Sequence, residues 1–433
     1  MDVLIPNHAE FNIRHPALRL GTATETVFTN LGLELADQCA FWSSDHRILI
    51  LPQGLDPLWF QDVHDVLGLT PPPVVSLGRR TGLPLRDLLH DGHALAELRH
   101  RLAGHDQVRL LAWGATPELY LLQAMVSGWG HEAELDCTPQ DHYWASLYLD
   151  GKLSCVDLAQ RVPGLRVPNG VTVTCHEELR GALETLLARR GQAIVKSPLG
   201  VGGAGSAVIR SDRRGLAGFW TTAHREPFFN SFPLVVQEYV ERAPDMGCPA
   251  ADLFIDGKGI GQVVLSCMTV DGHRFRNVVV GARSIAAGYA EQTCELGQAV
   301  GAVAYELGFR GWFCVDFMVG ADGEFYLTEI NARRSGAAQA IALLELLGAD
   351  DDLVAHSDDK LTLQLPGATS YGDLRSFFHG LWAGGVRAYP TTVRGLAGSR
   401  PHMGIVTLGS GGDEARAIAA EIQVKAPEHV LRR

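Results

Sequence analysis

One stretch constrains this chain more than any other: Val195-Lys196-Ser197-Pro198-Leu199-Gly200-Val201-Gly202-Gly203-Ala204-Gly205-Ser206, with four glycines in six positions beside a lysine. Gly200, Gly202 and Gly205 satisfy G-x-G-x-x-G, but a dinucleotide fold requires a helix after the glycines, so that the positive helix end meets the pyrophosphate. Here SAVIRS follows, a β-like run. Two strands joined by glycines make a hairpin flap whose backbone amides can approach phosphate oxygens without a Cβ in the way. The phosphate-loop string G-x-x-x-x-G-K-[ST] is absent. A plain surface hairpin is the alternative for this segment taken alone.

Lysine is scarce: only Lys152, Lys196, Lys258, Lys360 and Lys425 occur among 433 residues. The net charge of −12 argues against a chain that grips nucleic acid, which needs clustered Lys and Arg. With 46% hydrophobic and 20% charged residues the composition is that of a folded, multidomain globular protein. The eight cysteines are scattered, with no Cys-x-x-Cys and no zinc-like spacing, as expected in a reducing compartment. The first twenty residues are too charged for a signal peptide and no run is long enough to span a bilayer, so a cytoplasmic protein without membrane contact is expected.

The second chemical feature lies in residues 311 to 331. WFCVDFMV and EFYLTEIN, divided by Ala321-Asp322-Gly323, read as an antiparallel hairpin. If Val319 pairs with Glu324, Asp316 lies opposite Leu327 and diagonal to Glu329, and side-chain alternation sends Asn331 and Arg333 to the same face. Two carboxylates and an amide oxygen suit a hard ion such as Mg²⁺. A solvated, charged sheet face is the alternative. Between the two hairpins, Leu234 to Val240 is an apolar run with Gln237 at its polar centre, an ordinary strand or an adenine hinge.

In this order the residues resemble the ATP-grasp superfamily, in which two α+β subdomains clamp ATP. The resemblance covers about Leu147 to Gly336 and implies ATP and Mg²⁺ as cofactors. It assigns Lys152 (in Asp150-Gly151-Lys152, before GLRVP at 164 to 168) and Lys196 to the phosphates, with Gly202, Gly203, Ala204, Gly205 and Ser206 as the flap. It places Gln237, Glu238, Tyr239 and Val240 at the adenine and Asp245 near the ribose. Asp316, Glu329 and Asn331 would hold the metal, and Arg333 would steady the charge on the transferred phosphoryl group. Some members place an arginine two residues before the metal aspartate; this chain has Cys314, and Arg274, Arg276 or Arg283 are the substitutes, with Arg276 taken as the catalytic candidate.

The implied fold class is α/β and α+β multidomain: an N-terminal α/β domain with a parallel sheet (1 to 145), a nucleotide-binding subdomain with the flap (146 to 240), a metal-binding subdomain (241 to 358) and a small C-terminal α/β cap (359 to 433). Residues Gly348 to Lys360 read as an acidic, polar stretch before that cap. The first domain and the cap look like those of pheganomycin-type peptide ligases. The implied activity is a carboxylate-amine ligase acting through an acyl phosphate on small-molecule carboxylates and amines, amino acids or short peptides, in natural-product biosynthesis. The rivals are a kinase on the same fold and a nucleotide-binding module without chemistry. A homodimer is the default assembly for such an enzyme.

Overall fold

The structure is a computed structural model describing residues 1–14, 22–43, 46–52, 54–79, 81–198, 200, 205–223, 226–244, 246–348, 352–365 and 367–432. Its described residues form three sheets. The first is parallel throughout, built from β1 (Asp2–Ile5), β2 (Arg47–Pro52), β3 (Val74–Leu77), β4 (Gln107–Ala112) and β5 (Glu132–Leu135) in the order β3-β2-β1-β4-β5. Its central strands are continuous apolar runs, because helices cover both faces and leave no side for polar residues. Helices Gly92–Leu102 and Pro117–Gly128 are fixed at their starts by Asp91 and Thr116, whose side chains accept from the first free backbone amides.

The second sheet is small and antiparallel: β6 (Gly170–Val173), β7 (Gln192–Lys196), β8 (Ser206–Arg210) and β9 (Leu234–Glu238), ordered β6-β9-β7-β8. Leu179, Leu183 and Leu187, at helical spacing on His176–Arg190, pack against Val195, Ile209 and Val236 of its strands.

The third sheet has eight strands: β10 (Cys248–Asp256), β11 (Gly259–Asp271), β12 (Arg274–Val280), β13 (Gly311–Val319), β14 (Phe325–Asn331), β15 (Val354–Thr362), β16 (Ala388–Thr392) and β17 (His402–Gly409). Their order is β14-β13-β10-β11-β12-β15-β17-β16. Helix Ala287–Glu306 buries Leu296, Val300 and Ala304 against β10 and β13, with Gly297 and Gly301 facing Ala251 and Leu253 where a Cβ would crowd them.

The C-terminal region differs from expectation. The acidic stretch around 348 to 360 contains β15, and a division at 358/359 falls inside that strand. β15 pairs with β12 on one side and β17 on the other, so the last strands continue the large sheet. Helix Gly412–Leu431 packs on β15 and β17, and helix Tyr371–Ala383 packs against it. This end also leans on the N-terminal unit: Trp59 Nε1 donates to the Pro390 carbonyl at 2.8 Å, and the buried Asp37 meets Arg394 at 2.7 Å. Among the described residues, no helix is long and apolar enough to cross a membrane.

Candidate functional site

The small and large antiparallel sheets face each other across a cleft of about 1080 Å³. The chain leaving β9 builds the joint between them. Ala321 N donates to the Glu241 carbonyl at 2.7 Å and Ala243 N to Val319 at 2.9 Å, stitching this segment to the turn between β13 and β14. Glu238, Tyr239, Val240 and Arg242 line the cleft there.

The floor is the β13–β14 hairpin, in a register that corrects the sequence reading. Val319 pairs with Phe325, not Glu324, and a bulge between Asp316 and Phe317 places Asp316 directly opposite Glu329 and Cys314 opposite Asn331. Thr328 is the extra residue, and it faces the cleft together with Glu329, as two residues opposing one at a bulge do. Its hydroxyl donates to the Asp316 carbonyl at 2.9 Å. The acids therefore confront one another closely instead of lying on a diagonal. Below the bulge Phe317, Val319, Phe325 and Leu327 point into the apolar core, which anchors the hairpin.

Charge around this floor is arranged as a relay. Asn331 Nδ2 donates to Asp316 Oδ2 at 2.8 Å, and Arg333 donates to Asn331 Oδ1 at 2.8 Å. Cys314 Sγ donates to the other Asp316 oxygen at 3.2 Å. Burial, reinforced by the facing Glu329, holds the Asp316 carboxyl up at about 7. Glu329 accepts from Lys152 Nζ at 2.6 Å, and Lys196 Nζ, its charge disfavoured by burial and by Lys152, donates to the Thr328 carbonyl at 3.4 Å. Lys196 thus reaches the acid hairpin from the small sheet, and Lys152 reaches it from the start of helix Lys152–Arg161, which packs against β14.

Local structure explains how they are aimed. Lys152 opens helix Lys152–Arg161, and its backbone N–H donates to the Pro198 carbonyl at 3.1 Å, tying this turn to the base of the flap. Asp150, two residues earlier, accepts from Ala332 N at 3.0 Å and pairs with the buried Arg14 at 3.2 Å. The flap strands are a regular hairpin in which Lys196 pairs with Ser206; Ser197 N donates to the carbonyl of Gly205, whose φ of +79° favours glycine. Gly202, Gly203 and Ala204, and the expected ribose contact Asp245, lie outside the described residues.

Other assignments divide. Glu238, Tyr239 and Val240 line the cleft, but the Gln237 side chain does not: it is buried with Nε2 donating to the Pro168 carbonyl at 3.0 Å. Register puts Gln237 opposite Ile194, on the face that carries Lys196, and its bond to Pro168 holds it out of the cleft. Glu238 follows Val236 to the other face, where its carboxylate accepts from Asn169 at 2.8 Å and pairs with Arg190 at 3.1 Å. Arg276 lines the cleft far from Lys152 in sequence and pairs with the exposed Asp271, whereas Arg283 pairs with Asp352 at the surface. Of the two adjacent arginines only Arg333 faces the cleft, its guanidinium 5.1 Å from the Trp113 ring centre. Arg334 is buried, donates to the Ala112 carbonyl at 3.2 Å and pairs with Asp136 of the parallel sheet.

Sequence reasoning missed Thr328, Trp113 and the support beneath Arg333. Asp252, buried on β10, accepts from Ser335 at 2.6 Å and Ser266 at 2.9 Å, pinning the segment after β14. Nothing in local periodicity signals these contacts, which join residues far apart in the chain.

The hairpin presents a donor set to a divalent cation. Among the described residues no three His, Cys, Asp or Glu side chains gather at one point, so the set is two carboxylates and the Asn331 amide oxygen. Their fit rests on the two facing carboxylates, one of them raised by burial, whose repulsion a hard cation would relieve.

Comparisons with known proteins agree with this architecture. Residues 166–342 match the family model described as carbamoyl-phosphate synthase L chain, ATP binding domain. Similar solved structures include an ADP complex of purK, N5-carboxyaminoimidazole ribonucleotide synthetase, at 14% identity and TM-score 0.56, covering 92% of this chain and 94% of that one. The Campylobacter jejuni biotin carboxylase-beta-gamma-ATP complex aligns at 14% identity and TM-score 0.55 over 96% of this chain and 89% of its own. The Aspergillus clavatus N5-carboxyaminoimidazole synthase with ADP and 5-aminoimidazole ribonucleotide aligns at 14% identity and TM-score 0.52 over 90% and 100%. No curated protein matches this chain. The likeness establishes the fold: a parallel α/β unit followed by antiparallel sheets, as in ATP-grasp proteins.

Proposed function

We propose that this chain is an ATP-dependent carboxylate-amine ligase. The observation that carries the reading is the meeting of Lys152 and Lys196 with Asp316, Glu329, Asn331 and Arg333 across one cleft. ATP would lie between the sheets, its phosphates against the two lysines and the flap, its base near Glu238 to Val240. Asp316, Glu329 and Asn331 would hold Mg²⁺, which supplies charge neutralisation at the terminal phosphates. The substrate carboxylate attacks the γ-phosphorus, giving an acyl phosphate and ADP; an amine then attacks the carbonyl carbon and phosphate leaves. Arg333, fixed by Asn331 and the Trp113 face, would stabilise charge on the transferred group. Arg276 is the candidate for the acyl phosphate.

The narrower reading is a ligase of amino acids or short peptides in natural-product biosynthesis, supported by the resemblance to pheganomycin-type ligases. A cytoplasmic setting accords with eight cysteines that form no disulfide.

The test is ADP release with a panel of amino acids, short peptides and bicarbonate, the last because the similar structures bear names of carboxylating enzymes. Hydroxylamine is then supplied as the trapping amine. A ligase yields a hydroxamate; ADP release without hydroxamate from any acid would indicate a kinase acting on a hydroxyl.

A further inference from the structure

Past Arg333 the cleft runs between two apolar walls that come from distant segments. Helix Thr22–Leu35 supplies the first. Its Gly32 lies so close to the N-terminal unit that a Cβ there would sit 3.0 Å from the Ala9 Cβ. On the same side, a Cβ on Gly82 would come within 2.4 Å of the Thr29 carbonyl oxygen. Glu34 pairs with Lys360 at 3.0 Å, and its carbonyl accepts from Thr392 at 2.7 Å. With Thr29, Gly32 and Glu34 so held, helical spacing puts Phe28, Leu31 and Leu35 on the remaining stripe. Phe28 meets Phe228 of the small-sheet subdomain edge-on, with ring centres 6.4 Å apart, and Leu31 and Leu35 line the cleft. Among the described residues, Leu31 and Leu35 join none of the four apolar cores.

The second wall is the β11–β12 pair. Met268 lies opposite Val278 and, past a bulge at Arg276, Val270 lies opposite Phe275, so these four share the face that lines the cleft. Contacts place both walls beside Arg333. A Cβ on Gly336, three residues after Arg333, would sit 3.4 Å from the Phe275 ring and 3.8 Å from Asp359 Oδ2. Asp359 Oδ1 in turn accepts at 2.7 Å from Gln38, three residues beyond Leu35. Polar side chains around these walls are engaged within the chain: Lys360 with Glu34, Gln423 with the Thr362 carbonyl, and Asp359 with Gln38 and Gln339. The cleft volume of about 1080 Å³ exceeds the roughly 300–1,000 Å³ of a single-ligand pocket, which leaves room for a second small molecule beside a nucleotide. Apolar side chains facing each other there gain from an apolar group between them.

We infer that Leu31, Leu35, Met268, Val270 and Phe275 form a specificity subsite for an apolar side chain on the substrate that reacts beside Arg333. The inference rests on the ligase reading and deepens it: among amino acids and short peptides, the subsite selects those with side chains such as that of leucine or methionine. A polar side chain of the same shape would lose its water there and find no partner in exchange.

The experiment is calorimetric titration of the full chain, with ADP and Mg²⁺ present, using pairs alike in shape and different in polarity. Leucine is set against asparagine and methionine against glutamine, each free and as its glycyl dipeptide. The wild type should bind the apolar member of at least one pair about tenfold or more tightly. Leu31→Glu, on a helix face outside the four cores, should erase that preference. Met268→Gln, similar in volume, should reduce it severalfold and decides the matter if Leu31→Glu does not fold. Equal binding within every pair, a preference for the polar members, or an apolar preference that survives the substitutions overturns the assignment. Hydroxamate formation on the same proteins separates the two readings. Hydroxamate made equally from both members of each pair removes the subsite and keeps the ligase. Apolar preference lost in Leu31→Glu, with no hydroxamate from any acid, keeps the subsite and removes the ligase.

Discussion

Two regions of this molecule bury charge, and they do it in opposite ways. At the junction between the parallel sheet and the large antiparallel sheet, Arg334 pairs with Asp136 and Arg14 with Asp150. On the cleft floor, acid faces acid, and the two lysines reach in singly. The first sets opposite charges against each other within the chain. The second leaves like charges opposed, an arrangement that a folded chain retains where a ligand resolves it.

Glu329→Ala should give the largest effect, lowering ADP release by roughly four orders of magnitude with an unchanged circular dichroism spectrum. Turnover near the wild-type rate in the folded variant would erase the distinction between the regions. Arg334→Ala tests the other side. It strands a buried Asp136 and should cost about 3–5 kcal/mol in urea unfolding; a cost near zero would mean that this junction, too, is loosely matched.

Glu10, held by the Leu85 and Arg86 amides inside the N-terminal unit, adds a buried acid that is read through pH. Burial holds its carboxyl up at about 8 against 4.5 in the unfolded chain, so between those values the folded state keeps a proton the unfolded state has released. Stability should therefore fall as pH rises through that window, by at most about 1.4 kcal/mol per pH unit, and level off above it. Glu10→Gln should flatten this slope in unfolding curves taken across the window. The smallest effect belongs to Asp316→Asn, which should raise folding stability at pH 8 by about 1 kcal/mol while abolishing turnover, since it removes a repulsion the reaction requires. A destabilised variant would contradict the view that the floor is strained by its own charges.

Much of the site was legible because strand periodicity is local. Glu329 and Asn331, two apart, share a face whatever lies opposite, and Lys196 was marked by the glycines beside it. The bulge at Thr328 was not, since register depends on which partner strand residues pack into the core, and the reading therefore set Asp316 against Leu327. The surroundings of Gln237 were hidden for a related reason: its polarity suggested a ligand contact, but its Nε2 binds the carbonyl of Pro168, a residue of a distant segment. The stretch before residue 360 read as acidic and polar, with no strand in it, because Asp358, Asp359 and Lys360 are charged. Its pairing partners in β12 and β17 lie dozens of residues away.

By itself the sequence determined the hairpins around Lys196 and Asp316 and which side chains of one strand would share a face, because each follows from neighbours a few bonds apart. Only the tertiary structure decided that Asp316 confronts Glu329, that Asp150 and Trp113 support the segment around Arg333, and that the C-terminal strands complete the large sheet around Asp359. Those outcomes depend on strand pairing and core packing between distant segments, whose energies no local pattern encodes.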